Sequence, residues 1–135
     1  MPTPRVISSR ARELSIICED RPGTLSHLAK VLGDAKVNIV AMSCTPAGVQ
    51  GAVRVIVDDF PRAKSALDRE HLSYAEHDVL YVEIPNMPGA LAEFTGKLAA
   101  ENINISIAYG AAAKGTRNAI VVFRVSDLEK AASIR

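Results

Sequence analysis

Two hydrophobic periods recur along this chain, in the same order, twice. "ELSIIC" (13–18) and "VLYVEI" (79–84) are dense in branched apolar residues and free of Gly and Pro, which predicts strands. After the first, Leu25, Leu28, Ala29 and Leu32 fall at i, i+3, i+4 and i+7, the spacing of one buried helix face. Leu91, Phe94 and Leu98 hold that face after the second. Gly33 and the polar "DAK" stop the first helix. "NIVAMSC" (38–44) and "NISIAY" (104–109) then read as second strands. "TPAGVQG" and "GAAAKGTRN" are glycine-containing connections of the kind a hairpin needs. "VRVIVDD" (53–59) and "AIVVFRV" (119–125) are third strands. "PRAKSALDREH" is a second helix with Pro near its start, and "SDLEKAASIR" is its counterpart with Ser126 as the expected N-cap. A strand around "SYAEH" (73–77) closes the first set.

The two sets are one repeat. "DRPGTLSHLAKVLGDAKVNI" (20–39) aligns without a gap on "NMPGALAEFTGKLAAENINI" (86–105), an offset of 86 − 20 = 66. Continued without a gap, the same offset lays "VRVIVDD" on "AIVVFRV". Each copy reads β-α-β-β-α-β, so the expected fold class is α+β: a ferredoxin-like split βαβ sandwich in two tandem copies, with antiparallel sheets and both helices of a copy on one face. The predicted boundaries are an N-terminal extension over 1–11, a first domain over 12–78 and a second over 79–135. "SYAEHDVLYVEI" leaves no room for a tight turn between the copies, so one long or kinked strand shared by both is expected. The second copy reaches Arg135 before its last strand. Its open sheet edge calls for cover, from the N-terminal "RVIS" or from another subunit.

Composition narrows the function classes. The chain has 135 residues, 48% of them hydrophobic, enough for a core. A net charge of +1, aromatics at 4% and no Trp argue against a nucleic-acid surface. Cys18 and Cys44 form no CxxC, and His27, His71 and His77 show no metal-ligand spacing, so neither a disulfide framework nor a metal site is expected. The N-terminus has no signal-like apolar stretch and no run is long enough to cross a membrane. A cytoplasmic protein with no membrane contact is expected. No Walker motif, GxGxxG or nucleophile–base constellation is present, so no catalytic residue, no cofactor and no enzyme are predicted. "KGTR" (114–117) reads as a hairpin tip, with a phosphate-contacting loop as the other reading.

The Pro-Gly loops carry the candidate chemistry. Asp20 is a possible cap, Pro22 suits a first helical turn, and Gly23 lets the chain bend and bares the backbone. That exposes N–H groups from about Gly23 to Leu25 at a helix start, which favours a carboxylate or phosphate. Asn38 and Asn104 stand at the far end of the helix, where they would reach the loop of a neighbouring copy rather than their own.

"EDRPGTLSHLAKVLGDAKVNI" and "PNMPGALAEFTGKLAAENINI" resemble ACT domains, small regulatory modules of amino-acid metabolism, as a tandem pair over about residues 12–135. The resemblance implies a free amino acid bound between paired domains, with Asn86, Met87, Gly89, Ala90, Leu91, Asn104 and Ile105 in the second copy and Asp20, Gly23, Thr24, Leu25, Asn38 and Ile39 in the first. Asp20 departs from the loop Asn of the family's binding members and would repel a ligand carboxylate while accepting an ammonium. Cys18 and Ile84 replace the His of the serine-sensing members, and Ile84 suits an apolar ligand. The expected function is a small-molecule-binding regulator, a homodimer signalling to a separate metabolic enzyme. The alternative is an interaction subunit of an amino-acid biosynthesis enzyme without a ligand of its own.

Overall fold

The computed structural model describes residues 5–135. Its elements are β1 (Ile7–Glu19), α1 (Thr24–Asp34), β2 (Ile39–Ala47), β3 (Gln50–Val57), α2 (Phe60–Arg69), β4 (Tyr74–Pro85), α3 (Ala90–Ala100), β5 (Ile105–Ala111), β6 (Asn118–Val125) and α4 (Leu128–Ala132). The chain divides into two compact units: Arg12–His77, and Asp78–Arg135 together with the described residues up to Ala11. Each is a ferredoxin-like α+β repeat. No helix among the described residues is long and apolar enough to cross a membrane.

In the unit Arg12–His77 the strand order is β2-β3-β1-β4. Leu14, Ile16, Val53 and Val55 line the inner face of the sheet and pack on Leu28 and Leu32 of α1 and on Ala63 and Leu67 of α2. Burying one such aliphatic side chain contributes about 1.5–3 kcal/mol, which outweighs the ordinary helix propensity of these short segments. Asp59 caps α2 by accepting from the Arg62 N–H at 3.1 Å, with Pro61 in the first turn. Ile17 N–H donates to Ser73 O at 3.3 Å, and Arg12 bridges to Glu76 at 2.6 Å, joining the outer strand to β1.

The other unit repeats this in the order β5-β6-β4-β1. Leu80, Val82 and Ile84 meet Phe94, Leu98 and Phe123, the two rings 5.7 Å apart and tilted by 30°. The fourth strand position is filled by the start of β1. Val6 packs on this core, Ser8 Oγ donates to Ile134 O at 3.3 Å and Ser9 Oγ to Tyr81 O at 3.4 Å. β1 and β4, at 13 and 12 residues, are single strands whose two ends belong to different units.

Three expectations are corrected. Ser126 does not cap α4: Asp127 does, accepting from Lys130 N–H at 3.0 Å. Ser126 Oγ instead accepts from Asn104 N–H at 2.9 Å, as Asp58 Oδ1 does from Asn38 N–H at 2.9 Å. The third strands do not align at 66. Ile16 faces Val53 and Val82 faces Val121, so the offset there is 121 − 53 = 68. The β2–β3 turn is Gly48–Val49, whereas the β5–β6 connection spans 112–117. Finally, Ala29 and Leu25 are exposed rather than buried, and so is Leu91; only Leu28 and Leu32, and Phe94 and Leu98, turn fully into the cores.

Candidate functional site

Each first strand runs into a Pro-Gly turn, and the two turns share one geometry. Gly23 has φ 91° and ψ −13°, and Gly89 has φ 87° and ψ −13°. Thr24 N–H donates to Arg21 O at 3.3 Å, and Ala90 N–H to Met87 O at 3.2 Å. These are the dihedrals and the closing bond of a type II turn, with Pro22 or Pro88 at the second position and Gly at the third. Pro therefore sits before the helix, not in its first turn. Glycine is the helix N-cap in both copies, and no side chain caps either helix; Asp20 does not fill that role. The N–H of Thr24 and of Ala90 is spent on the turn, so the helix-start donors that face outward begin at Leu25 and Leu91. The partial positive charge of an 11-residue helix gathers there.

In the unit containing the second repeat, this helix start opens on a groove of about 480 Å³. Asn86, Met87, Ala90 and Leu91 form one end and wall, with Thr95 one helical turn further on. Ile105, Ala108, Tyr109 and Gly110 of β5 form the other wall, and Ala119, Val121 and Phe123 the floor. No lining residue is acidic or basic. Met87 and Leu91 are 57% and 51% exposed, although the helix spacing makes Leu91 a core position. Asn86 is tied to the hairpin: its Nδ2 donates to Thr116 O at 3.0 Å and its N–H to Arg117 O at 2.8 Å. The volume and the apolar lining fall within the range of small-molecule pockets.

The structure thus brings together Asn86, Met87, Ala90, Leu91 and Ile105. Gly89 lies on the other side of the turn, in a cleft of about 540 Å³ with Glu93, Lys97 and Arg135. Asn104 is at the opposite end of α3, its backbone engaged with Ser126. Thr95, Tyr109 and the β6 floor were not among the sequence candidates. Thr95 was signalled by its i+4 spacing from Leu91, but the β6 residues were hidden by the two-residue shift.

The first repeat differs. Gly23 and Thr24 line a cleft of about 590 Å³ with Cys18, Arg21, His27 and His71. Asp20 and Leu25 stand outside it, and Leu25 is 42% exposed. Asn38 and Ile39 are at the far end of α1, where Asn38 N–H bonds Asp58. Arg21 pairs with Glu19 at 2.8 Å. The Cys18 thiol is pushed up from its ordinary pKa, first by burial and then by Cys44 and Asp20, so it is a poor nucleophile at neutral pH. No group of three or more His, Cys, Asp or Glu among the described residues is placed to hold a metal ion.

Comparison with known proteins agrees with this architecture. A family model described as an ACT domain pair matches residues 10–134. A crystal structure of a protein from Bacteroides thetaiotaomicron is 34% identical, with a TM-score of 0.84, covering 92% of this chain and 85% of that one. The ligand-free regulatory subunit of aspartate kinase from Thermus thermophilus is 18% identical with a TM-score of 0.72, covering 96% and 93%. The corresponding subunit from Thermus flavus is 20% identical with a TM-score of 0.63, covering 94% and 91%. At these identities the last two show a shared fold. No curated protein matches the chain.

Proposed function

The chain belongs to the ACT domain pair family, and from that premise we propose that it is a cytoplasmic amino-acid-binding regulator acting on a separate metabolic enzyme. The observation that carries this reading is the apolar groove of about 480 Å³ beneath the α3 start, with Asn86, Met87, Ala90, Leu91 and Ile105 on its walls. Backbone donors at the helix start suit the ligand carboxylate, and the groove suits its side chain. The groove is open, and a homodimer in which a second copy brings its Asn104 or Asn38 to the mouth would close it. The ligand then favours one packing of copies over another, which is how a site without catalytic groups controls a partner. The likeness in fold to regulatory subunits of aspartate kinase supports an enzyme of amino-acid metabolism as that partner.

The test is a thermal-shift screen of the twenty amino acids. A ligand at 100 times its Kd stabilises the fold by about 2.7 kcal/mol, and Leu91→Arg should abolish the shift by filling the groove. No shift with any amino acid would sink the reading. A second reading, an interaction subunit with no ligand, is favoured by a different feature: Val40 and Met42 on the edge strand β2 are 41% and 40% exposed. Pull-down of an enzyme that ligand does not modulate would decide for it.

A further inference from the structure

The two repeats carry their charge in different places. In the first, the end of β1 and the loop before the helix hold Glu19, Asp20 and Arg21, while the hairpin tip Gly48–Val49 is uncharged. In the second, the matching positions, Pro85 at the end of β4 and Asn86 and Met87 after it, are uncharged, while the hairpin connection lengthens from two residues to six and carries Lys114 and Arg117. That tip is fastened to the groove's end through the two Asn86 bonds to Thr116 O and Arg117 O, and Thr116 Oγ braces it from within by bonding Ala113 O at 2.7 Å. Neither Lys114 nor Arg117 takes part in any ion pair or side-chain hydrogen bond among the described residues. Glu83, on the strand paired with β6, accepts from Asn118 Nδ2 at 3.4 Å. It follows Val82 and precedes Ile84 on β4, so its side chain leaves the sheet on the face opposite the groove.

We propose that Lys114 and Arg117, together with the N–H donors of the α3 start, form the carboxylate clamp of the second repeat's groove, so that its ligand is an apolar amino acid held by carboxylate and hydrocarbon rather than by its amine. This rests on the reading that the groove binds an amino acid. Three properties carry it. Two long cationic side chains with no ion pair or side-chain hydrogen bond among the described residues stand, just beyond the groove's lining, on a tip that is itself bonded to the groove's end. The groove walls offer hydrocarbon and no charge. No acid lines the groove to take an ammonium. A guanidinium or ammonium meeting a carboxylate at the edge of an apolar surface makes a charge-assisted hydrogen bond, the stronger kind. The first repeat, with Glu19 and Asp20 against the single cation Arg21 and with an uncharged tip, offers no such clamp.

The test uses the full chain and three probes of one shape: L-leucine, 4-methylpentanoate, which lacks the amine, and 3-methylbutylamine, which lacks the carboxylate. Isothermal titration should show leucine and 4-methylpentanoate binding within a few fold of each other and 3-methylbutylamine not binding. The variant K114A/R117A should keep its melting temperature without ligand, because both side chains are exposed, and should weaken both carboxylates on the order of tenfold to a hundredfold. Raising salt should weaken wild-type binding and leave the variant's residual binding flat. Leucine binding that is unchanged in the variant, or equal binding of the amine probe, overturns the clamp and leaves amino-acid binding intact. Binding only of polar or charged amino acids does the same. If no amino acid binds at all, both readings fail together. Should the double variant be unstable, K114Q and R117Q tested singly give the same discrimination.

Discussion

Gly23 and Gly89 hold φ values of 91° and 87° with no heavy atom beyond their chain neighbours within 4 Å of where a Cβ would stand. Space is therefore no obstacle to Ala; the left-handed backbone is. Gly23→Ala and Gly89→Ala should each cost about 1–2 kcal/mol, read as lowered midpoints in urea, and an unchanged midpoint would show that the turn relaxes to another type. The titrating residue most open to measurement is Tyr74, whose hydroxyl donates to Asp68 Oδ1 at 2.8 Å. That hydrogen bond, then weaker burial and the charges of Asp68 and Glu76, raises its pKa above the ordinary tyrosine range. A raised acid favours its neutral form in the fold. Its stabilising effect is full below the ordinary tyrosine pKa and is lost as pH climbs through the raised value. Tyrosinate absorbance should show one tyrosine titrating earlier in Asp68→Ala than in the parent; superimposable curves would refute the assignment.

At the scale of elements, the repeat was readable because period survives a shift of two. Val53 lies over Val121, not Ala119, yet inward and outward positions stay in phase because a strand repeats every two residues. The ungapped match therefore found the right strands with the wrong partners, and it hid Val121 and Phe123 as groove floor. The Pro-Gly signal gave a tight turn, but not its place. Pro is equally at home at the second position of a type II turn and in a first helical turn, and only the closing bonds to Arg21 and Met87 separate these. Leu91 falls outside the core because helix spacing marks the apolar stripe without marking its width; its first-turn end overhangs the groove. The caps make the corrected register testable. Asp59 and Asp127 differ by 68 and do the same work, so Asp59→Ala and Asp127→Ala should each cost about 1 kcal/mol, while Ser126→Ala should leave α4 capped. A larger thermal loss from Ser126→Ala than from Asp127→Ala would count against the assignment.

For the molecule as a whole, what matters is that the two units are not equivalent pieces of chain. The unit Arg12–His77 is continuous and contains its β-α-β-β-α-β order in sequence. The other takes its fourth strand from residues that precede the first unit, with Ser8 bonded to Ile134 and Ser9 to Tyr81. Without that strand, the β4 segment from Asp78 onward has an unpaired edge, in a unit small enough that its core alone is marginal. A fragment over 12–85 should therefore fold by itself, with dispersed amide shifts and a cooperative melt. A fragment over 78–135 should not. Appending residues 5–11 after Arg135 through a short flexible linker restores the order β-α-β-β-α-β to the second fragment, and should restore its cooperative melt. The rescued fragment carries the whole groove, the helix start and the Lys114–Arg117 tip. It should then bind leucine in titration, whereas the 12–85 fragment should not. Folding of 78–135 without the appended strand would show that β1 only covers an edge that is stable uncovered, and would remove the strand exchange from any account of how this chain holds its second repeat together.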